Sequence, residues 1–216
     1  MASVFELSPV PTIEAALRRC APLPGVILFD SARRGGPLGR YSFLAAEPFA
    51  WEVLEQPQYG RDPFEALRKR LRELKTDALP GLPPFQGGAA GLLSYELGQC
   101  WERLPRPPHD ELAMPPLAVG LYDWVLAWDH LQERAWIVSQ GWPEPEGRRR
   151  QRRARDRRDQ VLSLLSPVEP PSPPPFVPGE PAPLRSPQAP LPPHEGLVSN
   201  FSREDYLQGG KRVIEY

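Results

Sequence analysis

Several things are scarce in this sequence, and each shortage removes a class of function. Only two cysteines, Cys20 and Cys100, occur in 216 residues, far apart and in no CxxC or other ligand-like spacing. They read as reduced thiols of a cytosolic chain and exclude a disulfide-rich scaffold, while counting alone leaves one long-range disulfide open. The three histidines, His109, His130 and His194, are scattered with no carboxylate or cysteine at ligand spacing, which indicates neither a structural metal site nor a histidine-based triad. The formal net charge of -1 supplies no global field toward nucleic acid or an anionic membrane. No run approaches the ~20 apolar residues that span a bilayer. Met1 to Pro9 also lacks a basic stretch followed by an apolar one. The expectation is a soluble, cytoplasmic protein with no membrane and no nucleic-acid partner.

Proline, by contrast, is in excess. There are 31, where an average chain carries roughly 5%. Thirteen of them fall within the 28 residues from Ser166 to Pro193, the composition of a polyproline-like or disordered spacer. Just before it, from Gly147 to Leu165, the chain is helical in pattern and strongly basic. With 40% apolar residues there is material for one substantial core. The organisation expected is a folded domain over 1–142, a basic and proline-rich linker over 143–198, and the start of a further domain over 199–216.

Within the folded part, Ile13, Ala16 and Leu17 predict a short helix, closed by Ala21-Pro22-Leu23-Pro24-Gly25. Val26–Phe29, Arg40–Ala46 and Trp51–Leu54 read as strands. Asp62-Pro63-Phe64-Glu65 reads as a helix start, with Asp62 as cap, Pro63 at the first helical position and Glu65 bonding back to the cap. Phe64, Leu67, Leu71 and Leu74 make its apolar stripe, with a Glu65–Lys69 pair on the wet side. Gly88–Tyr95 is a strand of small residues. Val119–Trp128 alternates so that Tyr122, Trp124, Leu126 and Trp128 share one face and Asp123, Val125 and Ala127 the other. Arg134–Ser139 completes a hairpin through His130-Leu131-Gln132, and Ser202-Arg203-Glu204-Asp205 opens a last helix with a capping-box-like pattern. Many strands with few helices predict an α+β fold, mostly antiparallel sheet packed with helices.

Local signals for chemistry are weak. Gly87, Gly88 and Gly91 invite a phosphate-loop reading, but there is no GxGxxG and no GK[ST], and a strand follows; close backbone packing within a sheet suits them better. Eight arginines between Arg148 and Arg158 would neutralise phosphates, yet they cover all helix faces, Asp156 and Asp159 interrupt them, and no aromatic is interleaved for base stacking. They read as a solvated linker helix. Ser31 follows a strand but lacks the GxSxG elbow of a nucleophile.

Four segments in order carry a resemblance. Pro84-Phe85-Gln86-Gly87-Gly88-Ala89-Ala90-Gly91-Leu92-Leu93-Ser94-Tyr95-Glu96-Leu97-Gly98 with Trp101-Glu102-Arg103-Leu104-Pro105 resembles the glycine-rich strand and loop of aminodeoxychorismate synthase component I. Met114–Trp124 with Trp128-Asp129-His130 resembles the following strand pair. Ile27-Leu28-Phe29-Asp30-Ser31 with Gly39-Arg40-Tyr41-Ser42 looks like the early strands, and Ser199–Tyr206 the entry to the chorismate-binding domain. Anthranilate synthase component I shares this architecture; Ala118–Trp124 and the Phe-Asp-Ser form at Phe29–Ser31 look more like the aminodeoxychorismate enzymes.

The resemblance implies the amino-terminal part of the anthranilate/aminodeoxychorismate synthase component I fold. It implies a glutamine amidotransferase partner that supplies ammonia for addition to chorismate, with Mg2+ and chorismate both bound by a carboxyl-terminal domain absent here. No catalytic or metal-binding residue is expected in this chain, which is predicted inactive alone. A tryptophan pocket is also implied, lined by Ser31, Leu38, Gly39, Arg40 and Tyr41; the same residues equally suit plain structural roles, Tyr41 in a core and Ser31 in a turn. Against a truncated enzyme stand two other readings, a non-enzymatic module that binds an effector or the amidotransferase on its own, and a gene fragment without function.

Overall fold

The computed structural model describes residues 2–33, 36–74, 76–105, 110, 112–166 and 186–215. Contacts divide the chain into two units, Met1–Leu104 with Pro115–Ser172, and Pro105–Met114 with Pro173–Tyr216.

In chain order the first unit contains β1 (Ser3–Glu6), α1 (Ile13–Cys20), β2 (Ile27–Phe29), β3 (Tyr41–Ala45), β4 (Ala50–Leu54), α2 (Glu65–Glu73), β5 (Gly88–Leu93), β6 (Leu117–Tyr122), β7 (Trp124–Asp129), β8 (Arg134–Ser139) and α3 (Arg148–Leu165). The strands form two antiparallel sheets, a five-stranded one in the order β1-β8-β7-β3-β2 and a three-stranded one in the order β4-β6-β5. This is the α+β arrangement expected from the strand-rich pattern.

Period-two alternation decides what each sheet face buries. Leu44, Trp124, Leu126, Trp128, Ala135 and Ile137 lie on one face of the larger sheet and are covered by Ala16 and Cys20 of α1 and Val161 of α3. The large aliphatic side chains among them, Leu44, Leu126, Ile137 and Val161, each contribute about 1.5–3 kcal/mol on leaving water. The opposite face presents Ala45, Val125 and Ala127 to Ala90 and Tyr122 of the smaller sheet. A third cluster, Leu97, Cys100, Leu117 and Val119, packs with Phe64 and Leu67 at α2. Gly91 lets β5 approach β6, because a Cβ there would run into the Ala118 carbonyl.

Three expectations need correction. Val119–Trp128 is not one strand: it breaks at Asp123, and the chain passes from the smaller sheet to the larger. Tyr122 therefore packs with Val125 and Ala127, not with Trp124, Leu126 and Trp128. Second, α2 starts at Glu65 with Phe64 before it, while the Asp62 carboxylate accepts the Phe64 N–H at 3.0 Å and so caps a turn rather than the helix. Its arginines pair outward, Arg68 with Asp62 and Arg70 with Glu52, and Glu65 and Lys69 form no ion pair among the described residues. Third, α3 is not a solvated linker helix. Arg150, Ala154 and Val161 are buried and the helix packs on β8, β1 and α1.

The second unit contains β9 (Ala189–Pro190), β10 (Val198–Ser199) and α4 (Arg203–Glu215). The Ser202 hydroxyl caps α4 as its sequence suggests, accepting the Asp205 N–H at 3.1 Å and donating to the Asp205 carboxylate at 2.6 Å. Residues 167–185, the greater part of the proline-rich segment, lie outside the described residues, as does His109.

Candidate functional site

The residues singled out in the sequence gather at the end of β2 and β3. The ladder of these strands ends at Phe29 opposite Phe43, and side chains take over beyond it. The Ser31 hydroxyl donates to the Tyr41 carbonyl at 2.6 Å, and the Ser31 N–H donates to Ser42 Oγ at 3.1 Å. Ser42 is fully buried. Its hydroxyl also meets Asp30 Oδ1 at 2.9 Å and His130 Nε2 at 2.8 Å.

Proton counting resolves this hub. An ionised Asp30 only accepts, so Ser42 gives it its single proton, and His130 then donates to Ser42 through a protonated Nε2. Ser42 thus accepts twice and donates once. The carboxylate sits on the serine, not on the histidine, so the trio lacks the order of a nucleophilic triad and serves to hold the chain.

Arg40 lies beside this hub. Its Nε and Nη2 reach Asp129 at 3.0 and 2.6 Å, a two-pronged grip, and its guanidinium sits 4.9 Å from the Tyr41 ring centroid. Burial opposes ionisation of Asp129, but the bonds from Arg40 and from the Gln132 and Leu131 N–H groups prevail, so its pKa is held below the ordinary carboxylate value. Tyr41 and Phe43 are 6.1 Å apart, and Phe43 meets Phe85 edge-on at 5.7 Å. Gly39 is required for close approach, since a Cβ would overlap the Arg33 carbonyl. Leu38 stands fully in solvent. The structure therefore brings Ser31, Arg40 and Tyr41 together, with Gly39 shaping the loop and Leu38 outside the group.

Ser42, Asp30, Asp129 and His130 were not identifiable as a site from sequence. The separation of 88 residues between Ser42 and His130 leaves no local signal, and only the strand pairing unites them.

A second polar cluster lies where β6 passes into β7. Asp123 is fully buried, with Arg153 Nε at 3.5 Å and Arg157 Nε at 3.7 Å, and neither carboxylate oxygen has a hydrogen-bond partner. Arg157 is held from behind by Glu47 at 2.5 Å and Arg153 by the Trp142 carbonyl at 2.6 Å. Burial raises the Asp123 pKa, against the opposing effect of Arg157 and Arg153. Among the described residues, no three His, Cys, Asp or Glu side chains gather as metal ligands. No helix among them is long and apolar enough to cross a membrane.

The family model for chorismate binding enzymes matches residues 27–216. The chain belongs to this family. Among relatives, anthranilate synthase component 1 of Arthrobacter globiformis is 34% identical over 130 residues, covering 54% of this chain and 24% of its own length. Aminodeoxychorismate synthase component 1 of Escherichia coli K12 is 32% identical over 151 residues, covering 56% of this chain and 32% of its own. A solved structure, anthranilate synthase component I of Streptococcus pneumoniae TIGR4, aligns over 77% of this chain and 37% of that one, with 21% identity and a TM-score of 0.49. This chorismate binding enzyme chain thus spans between about a quarter and a third of the two curated relatives, and both synthase names occur among them.

Proposed function

We propose that the chain is the amino-terminal portion of an aminodeoxychorismate synthase component I. In this reading a glutamine amidotransferase partner delivers ammonia, which the complete enzyme adds to chorismate with Mg2+ to give 4-amino-4-deoxychorismate, the precursor of para-aminobenzoate and folate. The observation that carries it is the family match over residues 27–216, joined by relatives that bear this name. The likeness of Ala118–Trp124 and Phe29–Ser31 to the aminodeoxychorismate enzymes supports this product over anthranilate.

The chemistry on chorismate and magnesium belongs, on this proposal, to the portion of the relatives' length that the chain does not span. The described residues supply a scaffold instead, with Asp30, Ser42 and His130 holding the end of β2. Tryptophan is proposed as the effector at that end. Ser31 has its proton committed to Tyr41, so its oxygen is left to accept from a ligand ammonium, and the Tyr41 ring offers an aromatic wall.

The test is an amination assay with chorismate, ammonia and magnesium on residues 1–216 alone and on the same residues joined to the chorismate-binding domain. Amination to 4-amino-4-deoxychorismate only in the joined protein is expected. Activity of residues 1–216 alone would place the chemistry here after all and overturn the reading. Anthranilate as product would favour the second reading, an anthranilate synthase component I, which the Arthrobacter relative supports.

A further inference from the structure

The smaller sheet ends on one side at β5, which pairs with β6 alone. The ladder fixes which of its backbone groups are free. The Ser94 N–H donates to the Pro116 carbonyl at 2.9 Å, and the register carries the same phase back through Leu92 opposite Ala118, Ala90 opposite Gly120 and Gly88 opposite Tyr122. In an antiparallel ladder the alternate residues turn their N–H and C=O groups the other way, so those of Ala89, Gly91 and Leu93 point away from β6. Among the described residues nothing bonds to them. Gly91 is exposed and Leu93 half-exposed.

Folded proteins guard such edges with charge, proline, bulges or brevity. In the first unit β2 has only three residues, β1 ends on Glu6 in an ion pair with Arg134, and β4 carries Glu52, paired with Arg70, at its centre. β5 has none of these devices. Gly88–Leu93 is six residues of Gly, Ala and Leu in unbroken register. An unguarded edge of this kind is a template for a further strand, held by main-chain hydrogen bonds.

The adjoining face is also incompletely covered. By register Trp51 and Val53 of β4, Ala118 and Gly120 of β6, and Ala90 and Leu92 of β5 share one face of the sheet. Ala90 packs against the larger sheet, yet Trp51 and Val53 remain about half exposed, apolar surface that a body carrying the added strand would cover.

We propose that the free edge of β5 receives an extended strand from the chorismate-binding portion of the enzyme, the length of the relatives that this chain does not span, so that the smaller sheet continues into that portion. The inference rests on the reading of this chain as the amino-terminal portion of a larger synthase. The chain spans between about a quarter and a third of the two curated relatives, which leaves the larger part of such an enzyme to supply the strand. A strand on the same polypeptide is favoured over one from a second copy, because tethering makes the pairing intramolecular.

The test is hydrogen–deuterium exchange, resolved to single amides, on residues 1–216 alone and joined to the chorismate-binding domain, with the amination assay run on the same samples. In residues 1–216 alone the amides of Ala89, Gly91 and Leu93 should exchange fast and those of Ala90 and Leu92, bonded to β6, slowly. In the joined protein the first set should slow at least tenfold. Leu93→Pro removes one outward N–H and no bond to β6, so it should lower the melting midpoint of the joined protein by several degrees and leave that of residues 1–216 nearly unchanged. Fast exchange of the outward amides in a joined protein that aminates chorismate overturns the inference and leaves the function reading intact; slow exchange in a joined protein without amination supports the inference and counts against that reading. Protection of these amides in residues 1–216 alone that grows with concentration, together with sedimentation as a dimer, would give the edge to a second copy and overturn the inference.

Discussion

Arg40 grips Asp129 across 89 residues of sequence, and the grip closes the edge at which β3 meets the β7–β8 turn. The same carboxylate accepts the Leu131 and Gln132 N–H groups at 3.0 and 3.2 Å, so one side chain sets both the turn and the arginine. The folded pKa of Asp129 lies below its unfolded value of ~3.9. Its contribution to stability is therefore complete above that value and is lost as pH falls through the folded pKa. Asp129→Asn should lower stability by about 1.5–3 kcal/mol at pH 7. Thermal melts of the two proteins should converge as pH is taken below ~4. A constant gap at every pH would show that charge is not the cause.

Asp123 carries the opposite sign. Burial raises its pKa and the two arginines do not fully offset this. The folded state then holds its proton to higher pH than the unfolded chain, so stability falls as pH rises from the unfolded value through the folded one. Asp123→Asn keeps the shape and removes the buried charge. Its melting temperature should equal or exceed that of the parent at pH 7, with the advantage shrinking at pH 4. A lower midpoint at pH 7 would mean that Arg153 and Arg157 gain more from the carboxylate than its desolvation costs.

Cys20 and Cys100 are both free and buried, which closes the disulfide that cysteine counting left open. Burial, with a smaller effect from Glu47, pushes the Cys20 thiol up to about 11. Thiolate is the reactive form, so Cys20 should resist alkylation by iodoacetamide at pH 8 in the native protein and react at once in denaturant. Labelling of native Cys20 at the rate of a free thiol would contradict the packing of α1.

Strands and turns were legible because each rests on a local signal. Alternation marked the strand residues up to Trp128, the His130-Leu131-Gln132 turn marked Arg134–Ser139 as its hairpin partner, the Thr12 hydroxyl caps α1 as such residues do, and Gly91 sits where two backbones meet. What stayed hidden depends on partners distant in sequence. Alternation runs unbroken through Asp123, so nothing local tells that Tyr122 and Trp124 belong to different sheets. The Ser42 hub was hidden for the same reason, since a serine in a strand is an ordinary residue until His130 and Asp30 arrive beside it. Composition was misleading in α3: eight arginines mask a narrow buried stripe of Arg150, Ala154 and Val161.

That stripe gives the sharpest contrast between a solvated helix and a structural one. Val161 is 2% exposed and packs with Trp124, Leu126 and Ile137 in the main core, whereas Arg155, one turn and a half earlier, is exposed. Val161→Ala leaves a cavity beneath α3 and should cost about 1–2 kcal/mol. Arg155→Ala should change stability by less than about 0.5 kcal/mol, as exposed positions usually do. Urea unfolding of both variants measures the difference directly. Were α3 merely a charged spacer, the two substitutions would be equally silent, and proteolysis within Arg148–Leu165 would proceed without loss of the folded unit. With α3 as the lid of the main core, cleavage there should instead expose Trp124 and Trp128, seen as a red shift and quenching of tryptophan fluorescence.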